Sequence, residues 1–134
     1  MSIQGLIDEF LKSEVFGVVG ASTNRDKYGN KVLRCYLQHQ LKAIPVNPKE
    51  KAVEGVHCVT SVMDLPDEVK SISVITPPQI TEQVVATAAA KGIRNIWMQP
   101  GAESPGAVDL CRKNDINVIA DGSCILVVLG FRDI

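Results

Sequence analysis

The stretch Val15 to Lys31, V-F-G-V-V-G-A-S-T-N-R-D-K-Y-G-N-K, has the residue types and spacing of an anion site. An apolar run leads into Gly20. Ala21 adds little bulk, Ser22 and Thr23 offer hydroxyl donors, and a polar loop leads to Gly29, where a helix can start. A glycine at such a turn lets the backbone bend sharply and approach a ligand closely. The helix beyond it presents unpaired N–H groups and the positive end of its dipole. Phosphate is the anion such turns take. The same letters also fit an ordinary strand–helix turn without a ligand.

The spacing narrows the choice of phosphate ligand. A dinucleotide fingerprint would read G-x-G-x-x-G, and a Walker loop G-x-x-x-x-G-K-[ST]. Neither is present. The loop between Gly20 and Gly29 is longer and more basic, with Arg25, Lys27 and Lys31 close by. That leaves room for a bulkier, more highly charged phosphate than NAD carries, although three cations also suit a solvated loop. A second signal ends the next apolar run, Ala43–Val46, in Asn47-Pro48-Lys49. An NAD domain places Asp or Glu there for the ribose hydroxyls. An amide at Asn47 can still bond a ribose or an adenine edge, and Lys49 favours an extra phosphate on that ribose. NADP and coenzyme A both carry one, so this turn alone does not separate them.

These turns require a sheet that holds them along one edge. The patterning predicts strands over Val15–Val19, Ala43–Val46, Val56–Val59, Ile72–Ile75, Asn95–Met98 and Asn117–Ala120. It predicts helices over Gly29–His39, Gln79–Lys91 (capped by Gly92) and Pro105–Lys113, with a turn of helix near Val62–Leu65. Residues 1–13 read as a short amphipathic helix, with Ile3, Leu6, Ile7, Phe10 and Leu11 on one face. Short apolar strands alternating with helices predict one α/β domain over 1–134, a Rossmann-like doubly wound fold with a mostly parallel sheet. The apolar segment 125–134, which begins I-L-V-V-L-G-F, reads as core or as a contact between copies of the chain, as in a homodimer. Ligands in such folds bind beyond the carboxyl ends of the strands. After the strands come Gly20-Ala21-Ser22, Asn47-Pro48-Lys49, Thr76-Pro77-Pro78, Gln99-Pro100 and Asp121-Gly122-Ser123-Cys124. The double proline is expected to form a rigid wall for a flat base or an extended chain. Together the turns outline one groove.

The chain has 134 residues, is 46% hydrophobic and carries a net charge of −1, which suits one domain with a real core. It lacks the basic field expected of a nucleic-acid binder. No run of about 18 apolar residues predicts a membrane span. The first ten residues do not resemble a signal peptide. Cys35, Cys58, Cys111 and Cys124 are scattered, with no C-x-x-C pair and no zinc spacing. Free thiols point to a reducing, cytoplasmic setting.

The ordered set V-V-G-A-S with a following Tyr28-Gly29, then I-P-V-N-P, V-I-T-P-P and I-W-M-Q-P-G, resembles the small stand-alone CoA-binding proteins. These look like the nucleotide-binding domain of the succinyl-CoA synthetase alpha subunit without the rest of that enzyme. The resemblance runs from about Val15 to Cys124. It implies a Rossmann-type domain that binds coenzyme A or an acyl-CoA. By that resemblance Gly20, Ala21 and Ser22 meet the pyrophosphate. Asn47, Pro48 and Lys49 lie by the adenosine and its 3′-phosphate. Thr76, Pro77 and Pro78 flank the ligand, and Gln99 and Pro100 close the groove near the pantetheine. Two turns depart from the pattern of many bacterial members. I-T-P-P stands where those carry a V-F-R-R-P-type turn, and D-G-S-C stands where those carry a D-R-C-P-type turn.

Succinyl-CoA synthetase uses a phosphorylated histidine supplied outside this domain. The only histidines here are His39, at the predicted end of the first long helix, and His57, in a short strand or loop. No Ser/His/Asp or Cys/His set is visible. Asp121 and Glu103 are the only acids near the expected groove. A binding protein is therefore expected rather than an enzyme. The alternatives are an NADP-dependent oxidoreductase-type domain and a regulatory subunit of an acyl-CoA enzyme.

Overall fold

A computed structural model describes the whole chain, residues 1–134. Helix α1 (Ile3–Leu11) starts at Ser2, whose hydroxyl accepts from the Gly5 amide at 3.1 Å. It is followed by β1 (Val15–Val19), α2 (Tyr28–Gln38) and β2 (Lys42–Val46). A small hairpin, β3 (Ala52–Val53) and β4 (Val56–His57), leads through a single 3₁₀ turn at Val62–Asp64 into β5 (Ser71–Val74). Then come α3 (Pro78–Lys91), β6 (Asn95–Met98), α4 (Pro105–Lys113), β7 (Asn117–Ile119) and α5 (Ile125–Leu129).

The main sheet is wholly parallel, in the order β2-β1-β5-β6-β7. Every residue of β1 is buried, because helices cover both faces. The two-residue period of the strand divides its side chains between two cores. Val15 and Val19 join the α3–α4 layer with Val85, Ala88, Ala107 and Cys111. Phe16 and Val18 join the α1–α2–α5 layer with Phe10, Leu33, Tyr36, Trp97 and Ile125. There Phe16 stacks on Tyr36 at 4.7 Å between ring centroids, and Phe10 meets the edge of Trp97 at 5.3 Å.

The expected elements form, with instructive differences. The stretch expected as one strand over Val56–Val59 contributes only Val56–His57 to a strand, paired antiparallel with Ala52–Val53 across Glu54-Gly55. Both turn residues have positive φ, 51° and 78°, the geometry of a tight hairpin. The fourth predicted strand begins one residue earlier, at Ser71, because Ser71 pairs with Asn95 across the sheet. The apolar segment after Cys124 becomes the short helix α5. Ile125 is fully buried while Val127 is 80% exposed, so it contributes to the core on one side only.

The two edges of the sheet treat their polar groups differently. At the amino edge the side chains satisfy one another. Asn117 donates to Asn95 (3.0 Å), Asn95 donates to Ser71 (3.0 Å), and Ser71 shares a hydrogen bond with Ser13 (2.6 Å). At the carboxyl edge the chain order reverses between β1 and β5, and the turns there leave backbone donors free.

Candidate functional site

The glycines seat the first turn. Gly20 has φ of 91° and donates its amide to the Val46 carbonyl at 3.1 Å. A Cβ at this position would run into the carbonyl of Ile75. A Cβ at Gly29 would run into the carbonyl of Gly20. The fold thus makes its own demand for glycine at position 20, beside the close approach to a ligand expected from the sequence. Both glycines are needed so that the ends of β1 and β5 and the first turn of α2 can touch backbone to backbone. The opening turn of α2 is thereby pressed against the switch point of the sheet, where open α/β folds bind their ligands.

The loop between them is tied from inside. The Ser22 hydroxyl accepts from the Asn24 amide (3.1 Å), and the Asn24 side chain accepts from the Asp26 amide (3.0 Å). Asn47 donates from Nδ2 to the Ala21 carbonyl at 2.8 Å and accepts the Lys49 amide on Oδ1 at 2.8 Å. A trans peptide points its carbonyl and the next N–H in opposite directions. Holding the Ala21 carbonyl against Asn47 therefore turns the Ser22 N–H outward. The backbone N–H groups of Ala21, Ser22, Thr23, Tyr28 and Gly29 donate to no protein acceptor. Ala21 and Gly29 are buried, so these donors need a partner.

Three clefts meet here. One of about 510 Å³ is lined by Gly20, Ala21, Ser22, Asp26, Lys27, Tyr28, Gly29, Asn47 and Ile75. A second, of about 300 Å³, shares Gly20 and runs between Val46, Pro48 and Thr60–Val62 on one side and α3 on the other. A third, of about 300 Å³, shares Tyr28 and Ile75 and ends at Gln99, Pro100 and Cys124. The shared residues make one trough along the carboxyl edge. Its centre offers N–H donors, the second cleft a largely apolar slot for a flat ring, and the third an apolar outlet.

Of the residues singled out from the sequence, Gly20, Ala21, Ser22, Lys27, Tyr28, Gly29, Asn47, Pro48, Thr76, Gln99 and Pro100 line this trough. Six do not. Thr23 is exposed at the top of the loop. Arg25 pairs with Glu54 at 3.6 Å. The Lys31 ammonium sits 5.3 Å from the Tyr28 ring centroid, a cation–π contact. Lys49 is exposed beside the trough. Pro77 and Pro78 cap and open α3 instead of forming a wall, and the Pro77 carbonyl accepts from Ile80 and Thr81 at 2.9 Å.

Sequence reasoning missed the α3 wall, formed by Ile80, Gln83, Val84 and Thr87. Its i, i+3, i+4, i+7 spacing was the available signal. It also missed Asp26, which puts a negative charge in the loop cleft, and the hydroxyls of Thr60 and Ser61. Gln99 lines the outlet, but its side chain is already bonded. Oε1 accepts the Ile125 amide at 2.9 Å and Nε2 approaches the Cys124 sulfur at 3.3 Å. Neither histidine lies in the trough. His39 bonds the Gly130 carbonyl at 2.9 Å, and His57 is exposed on β4.

All four cysteines are free thiols. Burial, with a smaller contribution from Cys124, pushes Cys35 up to about 11, and burial pushes Cys111 up to about 12. Burial also raises the Cys58 thiol. Cys124, partly exposed, is the one thiol in the trough. At the end of β7 the Ser123 hydroxyl holds the Asp121 carboxyl below the usual range.

A family model for the CoA binding domain matches residues 14–130, a span that includes every wall of the trough. The chain belongs to the CoA-binding domain family. The alpha subunit of ADP-forming acetate–CoA ligase II from Pyrococcus furiosus is 29% identical over 92 residues, which are 68% of this chain and 20% of that one. The ADP-forming acetate–CoA ligase II of Archaeoglobus fulgidus is 34% identical over 95 residues, 69% of this chain and 14% of its own. The chain thus spans a fifth or less of these curated relatives. Among solved structures, a conserved hypothetical protein from Pyrococcus furiosus superposes with a TM-score of 0.81 at 36% identity, covering 87% of this chain and 98% of that one. No helix is long and apolar enough to cross a membrane.

Proposed function

We propose that this CoA-binding domain takes coenzyme A or an acyl-CoA, non-covalently, along the carboxyl edge of its sheet. The observation that carries the reading is the set of unpaired N–H donors at Ala21, Ser22, Tyr28 and Gly29, gathered at the middle of the trough, with that of Thr23 at the top of the same loop. They form a donor-rich, oxyanion-binding surface for the pyrophosphate. The adenosine takes the slot between Pro48 and the α3 wall, and Lys49 reaches its 3′-phosphate from the rim. The pantetheine runs past Tyr28 and Ile75 toward Gln99, Pro100 and Cys124.

Binding without turnover is part of the proposal. The ligases that the chain resembles are several times longer, and the side chains that line this trough are mostly apolar or already hydrogen-bonded. In this reading any acyl transfer belongs to a partner protein.

Titration calorimetry with CoA, dephospho-CoA and NADP tests the ligand. We expect CoA to bind most tightly and dephospho-CoA more weakly. Equal affinity for CoA and NADP would overturn the assignment, since NADP has no pantetheine to fill the outlet.

A further inference from the structure

Arg34 is a charged side chain with only 5% of its surface exposed, and it lies on α2 below the loop, outside the trough. Its guanidinium is held on every side. Nε donates to Asn30 Oδ1 at 2.6 Å, one terminal nitrogen to the Arg25 carbonyl at 3.0 Å, and the other to the Asp133 carboxylate at 3.2 Å. The Phe131 ring centroid lies 5.1 Å from its central carbon. Asn30, fully buried, donates to the Ser22 carbonyl at 2.9 Å and to Glu54 at 3.0 Å. The Asn30–Arg34 pair thus draws two carbonyls of the loop, those of Ser22 and Arg25, inward from beneath. By the geometry of the trans peptide, the Thr23 N–H then faces outward, as Asn47 turns the Ser22 N–H outward.

The far end of the network is the segment 130–134. Gln38 grips the Arg132 backbone with two hydrogen bonds, donating to its carbonyl at 2.6 Å and accepting its amide at 3.0 Å. His39 holds the Gly130 carbonyl at 2.9 Å. Asp133 itself is 65% exposed, yet it is the carboxylate paired with a nearly buried guanidinium. An arginine left in that place without its counter-ion has reason to move toward solvent, because a buried unpaired charge is costly. Such movement would release the Arg25 carbonyl and the Asn30 side chain together.

We propose that Arg34 is a positioning residue for the phosphate loop, and that docking of the 130–134 segment through Asp133 sets how firmly the loop is held. The proposal rests on the reading of that loop as the CoA pyrophosphate site. It makes the segment a point of control, since whatever displaces it loosens the ligand site without touching the ligand.

The test uses the full chain and three variants, Arg34→Lys, Asp133→Asn and Asp133→Glu. CoA affinity is measured by calorimetry, and order parameters of the amides of residues 23–27 are measured by ¹⁵N relaxation without ligand. We expect Arg34→Lys to weaken CoA about tenfold, the loss of one charged hydrogen bond to the loop. Asp133→Asn should weaken CoA in the same direction, and Asp133→Glu should restore it. In the first two variants the order parameters of 23–27 should fall while those of β1 stay at the rigid value of about 0.85. Wild-type affinity and unchanged loop order in Asp133→Asn would overturn the proposal. A wild type that fails to bind CoA would refute the ligand assignment instead, and the relaxation measurement would still decide the role of Arg34.

Discussion

Replacing Gly20 with alanine separates a glycine kept for the ligand from a glycine kept for the fold. If Gly20 only allowed a phosphate to come close, Gly20→Ala would give a stable domain that binds poorly. The geometry demands more. The residue sits at φ 91°, and its new Cβ would collide with the Ile75 carbonyl, a backbone atom of the neighbouring strand end. Holding alanine in that conformation costs about 1–3 kcal/mol. Pushing the β5 end away from β1 adds about 1–3 kcal/mol, the usual range for overpacking. The sum, about 2–6 kcal/mol, is a large part of a total stability of about 5–15 kcal/mol. At about 3 °C per kcal/mol for a domain of this size, Tm should fall by roughly 6–18 °C with no ligand present. Urea unfolding of the unliganded protein measures it directly. The midpoint should fall with the slope unchanged. A midpoint equal to the wild type, with ligand binding lost, would refute the packing argument and return Gly20 to the ligand.

Ligand and charge make further predictions. CoA at 100 times its dissociation constant should stabilise the fold by about 2.7 kcal/mol in thermal unfolding, and NAD at the same concentration should not. Lys49→Ala should weaken CoA about tenfold and leave dephospho-CoA nearly unchanged, with the difference shrinking in high salt. A coupling energy near zero in that double-mutant cycle would remove Lys49 from the 3′-phosphate. A thiol reagent on the native protein should modify Cys124 first and the buried Cys35, Cys58 and Cys111 far more slowly, with CoA slowing the first event. Equal rates at all four would contradict the burial described. Because burial raises the Cys111 thiol to about 12, its neutral form favours the folded state. That contribution is complete below the unfolded thiol value and is lost as pH rises toward 12, so Cys111→Ala should flatten the alkaline limb of a stability–pH curve.

Much of the fold was legible because its signals are local. The apolar run Val15–Val19 has too few polar residues for a one-sided strand, and it is covered on both faces. Gly92 after the alanine-rich run ends α3 in the left-handed conformation, at φ 89°. What was hard to read depends on contacts across the chain. The hairpin at Ala52–His57 is two residues a side, shorter than any periodicity can register. The half-exposed α5 looked uniformly apolar in sequence, and only packing of Ile125 against the α1–α2 layer shows which side faces in.

The trough at the carboxyl edge was legible in the sequence, but the partners of its polar side chains were not. Asn47 and Gln99 follow strands at the carboxyl edge, so their sequence positions mark both as groups that contact a ligand. In the folded chain the Asn47 amide holds the Ala21 carbonyl and the Lys49 amide, and Gln99 holds the start of α5. Asn30, inside α2, carries no signal in the sequence, yet it holds the Ser22 carbonyl. The polar side chains around this loop bind carbonyls, and by doing so leave the neighbouring N–H groups facing the trough. In the proposed CoA reading, recognition of the pyrophosphate falls largely to the backbone, whose donors are the same whatever the residue type. A sequence shows where such a loop is, through its glycines and small residues. It does not show which side chains hold it, because those are scattered over α2, β2 and the 130–134 segment and meet only when the sheet is assembled. Substitutions at Asn30, Arg34 or Asn47 should therefore act on binding through the shape of the loop, and their effects should not add, since all of them orient the same short run of peptides.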